Sequence, residues 1–455
     1  MKLEPTIFRE YDVRGIVGKD LTGETVYTLG RAIAAYLKGK KRHNTFVIGR
    51  DGRVSSRHFA HALIDGLTDS GINVIDIGEV STGVTYFGLF TLYVDGGVMI
   101  TGSHNPKEYN GLKIAVGKST IHGAEIQKLR MLVEQGDFRT ANGPVTIKKI
   151  DLVVKYRQWI ARGITLKRRL KVVVDAGNGV GGKIAVPLYE RLGCEVIPLY
   201  CDVDGDFPNH HPDPTVPASL KTLIQTVKKE KADLGIAFDG DGDRIGAVDK
   251  NGTIVPGDIL LALFARSVLK DKPGAAVVGE VKCSRVMYND IEKHGGKAIM
   301  YKAGHSLIKD AMAKNNALLG GEMSGHMFFK NRWYGFDCAV YAGARLLEFI
   351  AAGRKGLHDY VKALPQTFAT EEIRVESDDT RKFGIVAEAT RYFRDEKGLN
   401  VNTIDGARIE FDDGWGLIRV SNTSPMLVMR FEASTKKRLG EIQKMVQGKV
   451  NELNR

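Results

Sequence analysis

Three similar α/β units followed by a smaller C-terminal α+β unit are the fold that this 455-residue sequence predicts. The first reason is a recurring order of apolar strand, polar or glycine-rich turn, amphipathic helix ending at glycine, and second apolar strand. The second is that each copy is followed by a further apolar strand running into an unusual loop. The third is that after about residue 365 the order changes to a run of strands closed by one helix.

In the first copy, "FVIGRD" leads to a helix with Phe59, Leu63 and Leu67 four residues apart, stopped at Gly71 before "INVIDI". The second runs from "KVVVDAGNGVGG" through Ile184, Leu188 and Leu192 to Gly193 and "CEVIPLY". The third runs from "AAVVGEVKCS" through Met287 and Ile291 to Gly295 and "KAIMY". Helical spacing between strand-like runs, with glycine as the stop, reads as β-α-β each time. The tail offers strands at "EEIRV", "ARIEF", "GLIRVSNT" and "MLVMRFEA", then a helix with Leu439, Ile442, Val446 and Val450 on one face. The expected domains are 1–150, 151–253, 254–365 and 366–455.

Hydrophobic residues at 43% and charged residues at 26% fit a globular protein rather than a disordered or membrane one. The amino terminus has no apolar leader and no apolar run approaches a membrane span, so a cytoplasmic location is expected. Cys194, Cys201, Cys283 and Cys338 form no C-x-x-C pair, which predicts free thiols. The net charge of +12 is scattered, with short clusters such as "KGKKR" and "LKRRLK" that read as solvated turns. Such a balance is compatible with nucleic acid, anionic lipid or a small anionic substrate, and nothing beyond charge favours nucleic acid.

The loops after the third strands carry the chemistry. They are "GVMITGSHNP", "LGIAFDGDGDR" and "ALLGGEMSGH", at equivalent positions, and loops beyond strand ends are where open α/β sheets gather ligands. They are expected to face one shared cleft. Ser103 beside His104 does not sit in the G-x-S-x-G of a hydrolase elbow, and alone it reads as a polar turn. "DGDGDR" is more specific: Asp239, Asp241 and Asp243 alternate with glycine, so a tight backbone aims three carboxylates at one point. An EF-hand is excluded, because Arg244 and Lys250 stand where glycine and glutamate are required. All-oxygen ligands on a short loop suit Mg²⁺. "GNGVGG", residues 177–182, matches a dinucleotide fingerprint but is unique to one copy, and a tight strand-to-helix turn is the expected reading.

Other clusters suit an anionic sugar. "EYDVRG" offers Tyr11 and Arg14, and "GEMSGH" offers Glu322, Ser324 and His326, which on an extended segment share one face. "RVSNTSP" brings Arg419, Ser421, Asn422 and Thr423 together with backbone N–H groups, a set matched to phosphate.

Taken in order over essentially the whole chain, "TGSHNPKEYNGLK", "DGDGDR", "GEMSGH" and "RVSNTSPMLVMRFEA" resemble the α-D-phosphohexomutases, with the phosphomannomutase/phosphoglucomutase branch nearest. Met323 fits the branch handling mannose and glucose, and phosphoglucosamine mutase is the alternative. The resemblance implies three α/β domains and a smaller fourth around a central cleft, interconverting hexose 1-phosphate and hexose 6-phosphate through a bound 1,6-bisphosphate. It implies that Ser103 carries a phosphoryl group and binds Mg²⁺ with Asp239, Asp241 and Asp243, with Arg244 beside the transferring group. Glu322 and Ser324 would bind sugar hydroxyls, while Arg419, Ser421, Asn422 and Thr423 would hold the phosphate that is not reacting. Tyr11, Arg14, His104, Lys113, Lys282, His305 and His326 match further active-site positions, Lys113 and His305 being the candidates for proton transfer. Glucose 1,6-bisphosphate or mannose 1,6-bisphosphate is the implied activator. The partners implied are small-molecule hexose phosphates, with no nucleic acid or membrane, for a monomer or weak homo-oligomer. A serine phosphatase would share the nucleophile and metal but needs no distal phosphate clamp. A nicotinamide-dependent dehydrogenase would rest on "GNGVGG" alone.

Overall fold

A computed structural model describes residues 3–37, 43–138, 140–378, 380–421 and 426–454. The chain divides into two units, Met1–Gly257 with Ser324–His358, and Asp258–Met323 with Asp359–Arg455. The "KGKKR" cluster lies outside the described residues.

The first sheet is built from β1 (Val13–Ile16), β2 (Thr45–Arg50), β3 (Asn73–Glu79), β4 (Gly96–Ile100), β5 (Tyr109–Val116), β6 (Ser119–Thr120) and β7 (Ile147–Lys149). Its order is β1-β5-β4-β2-β3-β7, with β6 on β5. β2 runs parallel to β3 and β4, whereas β5 is antiparallel to β4 and β1. β4, "GGVMI", is buried at every position, as expected of a central strand covered on both faces. The helices between these strands are α1 (Gly23–Tyr36), α2 (Ser56–Asp69), α3 (Thr82–Thr91) and α4 (Ala124–Gln135). Phe59, Leu63 and Leu67 of α2 share a core with Leu29 and Ile33 of α1.

After α5 (Val153–Gly163), the second sheet uses β8 (Lys171–Asp175), β9 (Glu195–Leu199), β10 (Leu234–Phe238), β11 (Ile245–Asp249) and β12 (Ile254–Val255). Its order is β12-β11-β10-β8-β9, the last three parallel and β11 antiparallel to β10. α6 (Gly182–Arg191) and α7 (Lys221–Lys229) connect the strands. "GNGVGG" forms the tight turn between β8 and α6.

In the second unit, α8 (Gly257–Asp271) precedes β13 (Ala276–Glu280), α9 (Arg285–Lys293), β14 (Lys297–Tyr301), α10 (His305–Lys314) and β15 (Leu319–Gly321). β13 is parallel to both β14 and β15. The chain then contributes β16 (Met327–Phe329) and α11 (Ala339–Ala351) to the first unit and passes through α12 (Leu357–Lys362).

The repeat is visible in its helix ends. Gly71, Gly193 and Gly295 all adopt positive φ. The next residue's N–H bonds back five positions each time, Ile72 to Leu67, Cys194 to Tyr189 and Gly296 to Ile291. The same capping motif closes all three of these helices, and glycine supplies its left-handed residue without a Cβ penalty.

The tail is an antiparallel sheet of β17 (Phe368–Ala369), β18 (Ile373–Glu376), β19 (Asn400–Asn402), β20 (Ala407–Phe411), β21 (Gly414–Val420) and β22 (Met426–Ala433). Its order is β17-β22-β21-β20-β19, with β18 also on β22. α13 (Lys382–Arg391) and α14 (Lys436–Leu453) complete it, and Ile442, Val446 and Val450 of α14 enter the core that Leu439 flanks. Within the second unit, buried Arg408 ties this sheet to the one before it by donating to Val281 O at 2.6 Å and Cys283 O at 2.8 Å. Its guanidinium lies 3.9 Å from the Trp415 ring centroid.

All four cysteines are free. Among the described residues, no helix is long and apolar enough to cross a membrane.

Candidate active site

β4 and β5 form an antiparallel pair, and the segment joining them carries Ser103. Its φ is 48°, a left-handed conformation uncommon for a residue with a Cβ and maintained only where neighbours over-determine it. The Ser103 N–H donates to Thr101 Oγ1 at 2.7 Å, and Thr101 Oγ1 donates to Asp51 at 2.7 Å. Arg14, at the start of the sheet on β1, donates to Gly102 O at 3.0 Å and to Asn105 Oδ1 at 2.6 Å, with Asp12 as its own carboxylate at 2.5 Å. Tyr11 is half-buried in the bend before β1.

A second antiparallel pair, β10 and β11, presents the aspartate loop. The N–H groups of Asp243 and Arg244 both donate to Asp239 Oδ1 at 3.0 Å, which curls the loop around its first carboxylate. Glycine at 240 permits close contact: a Cβ there would lie 2.7 Å from Ser103 O. One on Gly179 would lie 2.6 Å from Gly240 O, so "GNGVGG" serves as a packing floor under the aspartates.

The two loops meet. Ser103 Oγ donates to Asp239 Oδ2 at 2.9 Å and lies 3.2 Å from His104 Nδ1. β5 brings Lys113 to the same place, where Nζ donates to Asp241 Oδ2 at 2.7 Å and also to Asp243. Thr82, the first residue of α3, donates to Asp241 Oδ2 at 2.6 Å.

Burial sets the protonation states, modified by neighbours. His104 is held well below the usual histidine range by burial and by the charges of Arg244 and Arg14, so it is neutral. Burial alone would lower Lys113, but the Asp241 and Asp243 carboxylates outweigh it and keep the ammonium well above its ordinary value. Burial pushes Asp239 up, reinforced by Asp243 and Asp241. Burial opposes ionisation of Asp241 too, yet Lys113 and the Lys113 and Thr82 hydrogen bonds pull it below the normal carboxylate range.

The Lys113 ammonium reaches two of the three buried carboxylates, and Asp241 Oδ1 and Asp243 Oδ1 accept no hydrogen bond. One oxygen from each of Asp239, Asp241 and Asp243 lies within 4.8 Å of the others. An uncompensated cluster of hard oxygens of this kind fits Mg²⁺. A second cluster, Asp243, His326 and Asp337, also falls within 4.8 Å. There Arg244 Nε donates to His326 Nε2 at 3.0 Å, so the ring proton resides on Nδ1, 3.4 Å from Asp337 and 3.6 Å from Asp243. This group reads as a hydrogen-bonded support for Arg244.

Lys282, His305, Glu322, Arg419 and Ser421 lie in the second unit, and Ser324 in the first. Lys282, just past β13, donates to Glu372 at 3.0 Å and lies 3.8 Å from Glu280; burial would lower it, but these two carboxylates raise it. Glu322 accepts from Gly304 N at 2.7 Å, directly before His305, which opens α10. Arg419, on β21, pairs with Asp405 at 3.1 Å. Ser421 N donates to Met426 O at 2.9 Å. Asn422 and Thr423 lie outside the described residues.

One expectation is corrected. "GEMSGH" is not extended: residues 323–325 form a turn, so Glu322, Ser324 and His326 do not line up on one face by alternation. Gly325 makes the turn at φ 94°, where a Cβ would stand 2.4 Å from Ile245 O, and the division between the two units falls between Met323 and Ser324.

Several residues that hold these candidates, each within its own unit, carry no motif in the sequence. Asp51, Arg53, Thr82, Glu280 and Asp405 act only through contacts made by the fold. The sole signal for the first two is an acid and a base in "GRDGR" at a strand end.

Comparison with known proteins shows the family to which the chain belongs. Family models described as phosphoglucomutase/phosphomannomutase, alpha/beta/alpha domains I, II and III, match residues 5–140, 156–252 and 256–368. The model for the C-terminal domain matches residues 372–449. The chain is 47% identical over 441 residues to a phosphomannomutase/phosphoglucomutase of Pseudomonas aeruginosa, covering 97% of this chain and 94% of that protein. It is 47% identical over 438 residues to a phosphoglucomutase of Neisseria meningitidis, covering 96% and 95%. A crystal structure of a phosphoglucomutase/phosphomannomutase family protein from Burkholderia thailandensis superposes with a TM-score of 0.94 at 40% identity, covering 99% of this chain and 98% of that one. The chain belongs to the phosphoglucomutase/phosphomannomutase family. It is accordingly a mutase enzyme with the mixed α/β architecture of the phosphohexomutases.

Proposed function

We propose that the enzyme interconverts the 1-phosphate and 6-phosphate of mannose, glucose or both, with Ser103 as the phosphoryl carrier and a bound 1,6-bisphosphate as the intermediate. The observation that supports this most directly is Ser103 Oγ, held on left-handed backbone 2.9 Å from the first carboxylate of a three-aspartate loop.

In the forward direction the phosphorus–Oγ bond of phosphoSer103 breaks and a bond to the free hydroxyl oxygen of hexose 1-phosphate forms. The hydroxyl proton leaves to a base, and the bisphosphate reorients. Its other phosphoryl group then returns to Ser103, so the enzyme ends as it began and the sugar departs as the 6-phosphate. Lys113 and His305 are the candidates for moving this proton, and Lys113 could give one up only once the two carboxylates that hold its ammonium engage the metal. Neutral His104 sits beside Oγ without adding a charge to the serine. Arg244, oriented by His326, faces the developing charge. Asp239, Asp241 and Asp243, with Ser103, would hold Mg²⁺, which when bound offsets negative charge on the phosphoryl oxygens.

Lys282, Glu322, Ser324, Tyr11 and Arg14 bind substrate, and Arg419, Ser421, Asn422 and Thr423 hold the phosphate that is not reacting. The activator is glucose 1,6-bisphosphate or mannose 1,6-bisphosphate, and the enzyme works in the cytoplasm as a monomer or weak homo-oligomer.

Arg419→Ala tests the mutase reading against a phosphatase. Losing a charge-assisted bond is expected to cost about 1.5 to 3 kcal/mol of hexose 1-phosphate affinity. It should also raise the concentration of added 1,6-bisphosphate needed for full rate, because the intermediate escapes before it turns. Mutase assays titrated in both ligands check this. Normal affinity with an unchanged bisphosphate requirement would place the clamp elsewhere.

A further inference from the structure

Arg53 follows β2 in the turn "GRDGR" and is 3% exposed. Its Nη2 donates to Ser103 O at 2.8 Å and Asn105 O at 2.6 Å, and its Nη1 donates to Pro106 O at 2.7 Å and Tyr109 O at 2.9 Å. Nε lies 3.2 Å from Asp51, which also accepts from Thr101 and Gly102 at the near end of the same loop. One planar group thus gathers carbonyls from the nucleophile to the first residue of β5. From above, the Phe207 ring centroid stands 5.2 Å from Arg53 Cζ. The loop carrying Phe207 is pressed so close that a Cβ on Gly205 would lie 2.6 Å from Val54 N and 2.9 Å from Arg53 Cα.

We propose that Arg53 is a positioning residue for the nucleophile, fixing the Ser103 loop in the left-handed conformation from which Oγ meets the aspartate loop, with the Phe207 loop clamping the guanidinium in place. This rests on Ser103 being the phosphoryl carrier. Arginine is required because its planar fork directs N–H groups to several carbonyls at once, whereas a lysine ammonium is a single point of charge. The strained φ at Ser103 persists only while such contacts over-determine it. Both half-reactions use the same oxygen, so a loosened loop slows each of them. Because the Arg53 nitrogens are committed to the loop and to Asp51, substrate affinity is spared.

The test measures kcat and KM for hexose 1-phosphate at saturating bisphosphate, the Mg²⁺ dependence, and the phosphate content of the Ser103 peptide. Arg53→Lys is expected to lower kcat roughly 10²-fold, the scale of an ångström-sized misplacement, with KM within about three-fold of wild type. The Mg²⁺ dependence should be unchanged, and a merely destabilised protein would not give this split. Gly205→Ala, which forces the clamping loop away from Arg53, should lower kcat in the same way, and it decides the matter alone if Arg53→Lys fails to fold. Unchanged kcat, or a rise in KM at constant kcat, overturns the role while phosphate is still found on Ser103. Absence of phosphate from wild-type Ser103 overturns the carrier reading, and the Arg53 role with it.

Discussion

Ser103→Ala is expected to lose mutase activity by more than about 10⁴-fold, the order of loss when an enzyme's nucleophile is removed. The fold should survive, because alanine has the same Cβ and meets the same backbone at φ 48°. The Ser103 N–H to Thr101 bond and the Arg53 bond to Ser103 O are backbone contacts and do not depend on the hydroxyl. The Oγ contacts to Asp239 and His104 are what the substitution removes. Coupled-assay rates alongside thermal unfolding check this expectation. Wild-type stability with vanishing activity is the expected pair, and a variant that retains ordinary turnover would move the phosphoryl carrier to another residue.

Asp241→Asn should weaken Mg²⁺ binding and activity together. Lys113 and Thr82 both donate to Asp241 Oδ2, so they select the amide oxygen for that position. The new NH₂ group then stands in the place of Oδ1, the oxygen that accepts no hydrogen bond. The variant therefore loses a negative charge and a ligand atom at the point where the cation is wanted. Metal stabilisation of phosphoryl-transfer charge amounts to several kcal/mol, so a loss on the order of 10²-fold or more in kcat is expected. A ligand that binds only the folded state raises its melting temperature by mass action, which gives a readout independent of turnover. Mg²⁺ should raise the Tm of the wild type more than that of Asp241→Asn. Equal rises and an unchanged Mg²⁺ titration would show that the ion binds elsewhere.

What was legible in the sequence follows from how local the physics is. Helix stops at Gly71, Gly193 and Gly295 were visible because a cap depends on a few consecutive residues, and the same backward hydrogen bond forms at each. The Ser103 and Asp239–Asp243 loops were visible because polar or glycine-alternating segments interrupt fully apolar strands. Their meeting was expected only as three loops facing one cleft; the observed contact comes from two antiparallel pairs, β4 with β5 and β10 with β11. Alternation in "GEMSGH" misled because it presupposes extended backbone, and Gly325 turns the chain instead. Arg53 was not legible at all. "GRDGR" reads as a turn in isolation, and its partners Ser103, Asn105, Pro106 and Tyr109 are about fifty residues away in the chain. Thr82 and Glu280 were missed for the same reason, the former acting across 159 residues of sequence.

The most direct test of Ser103 as the carrier is a single turnover of enzyme carrying isotopically labelled phosphate with unlabelled hexose 1-phosphate, quenched and followed on both enzyme and sugar. The label should leave the Ser103 peptide and appear, mole for mole, on the sugar as hexose 1,6-bisphosphate and hexose 6-phosphate, while unlabelled phosphate from the substrate takes its place on Ser103. Label that stays on Ser103 while hexose 6-phosphate forms, or that appears as inorganic phosphate, would contradict the account.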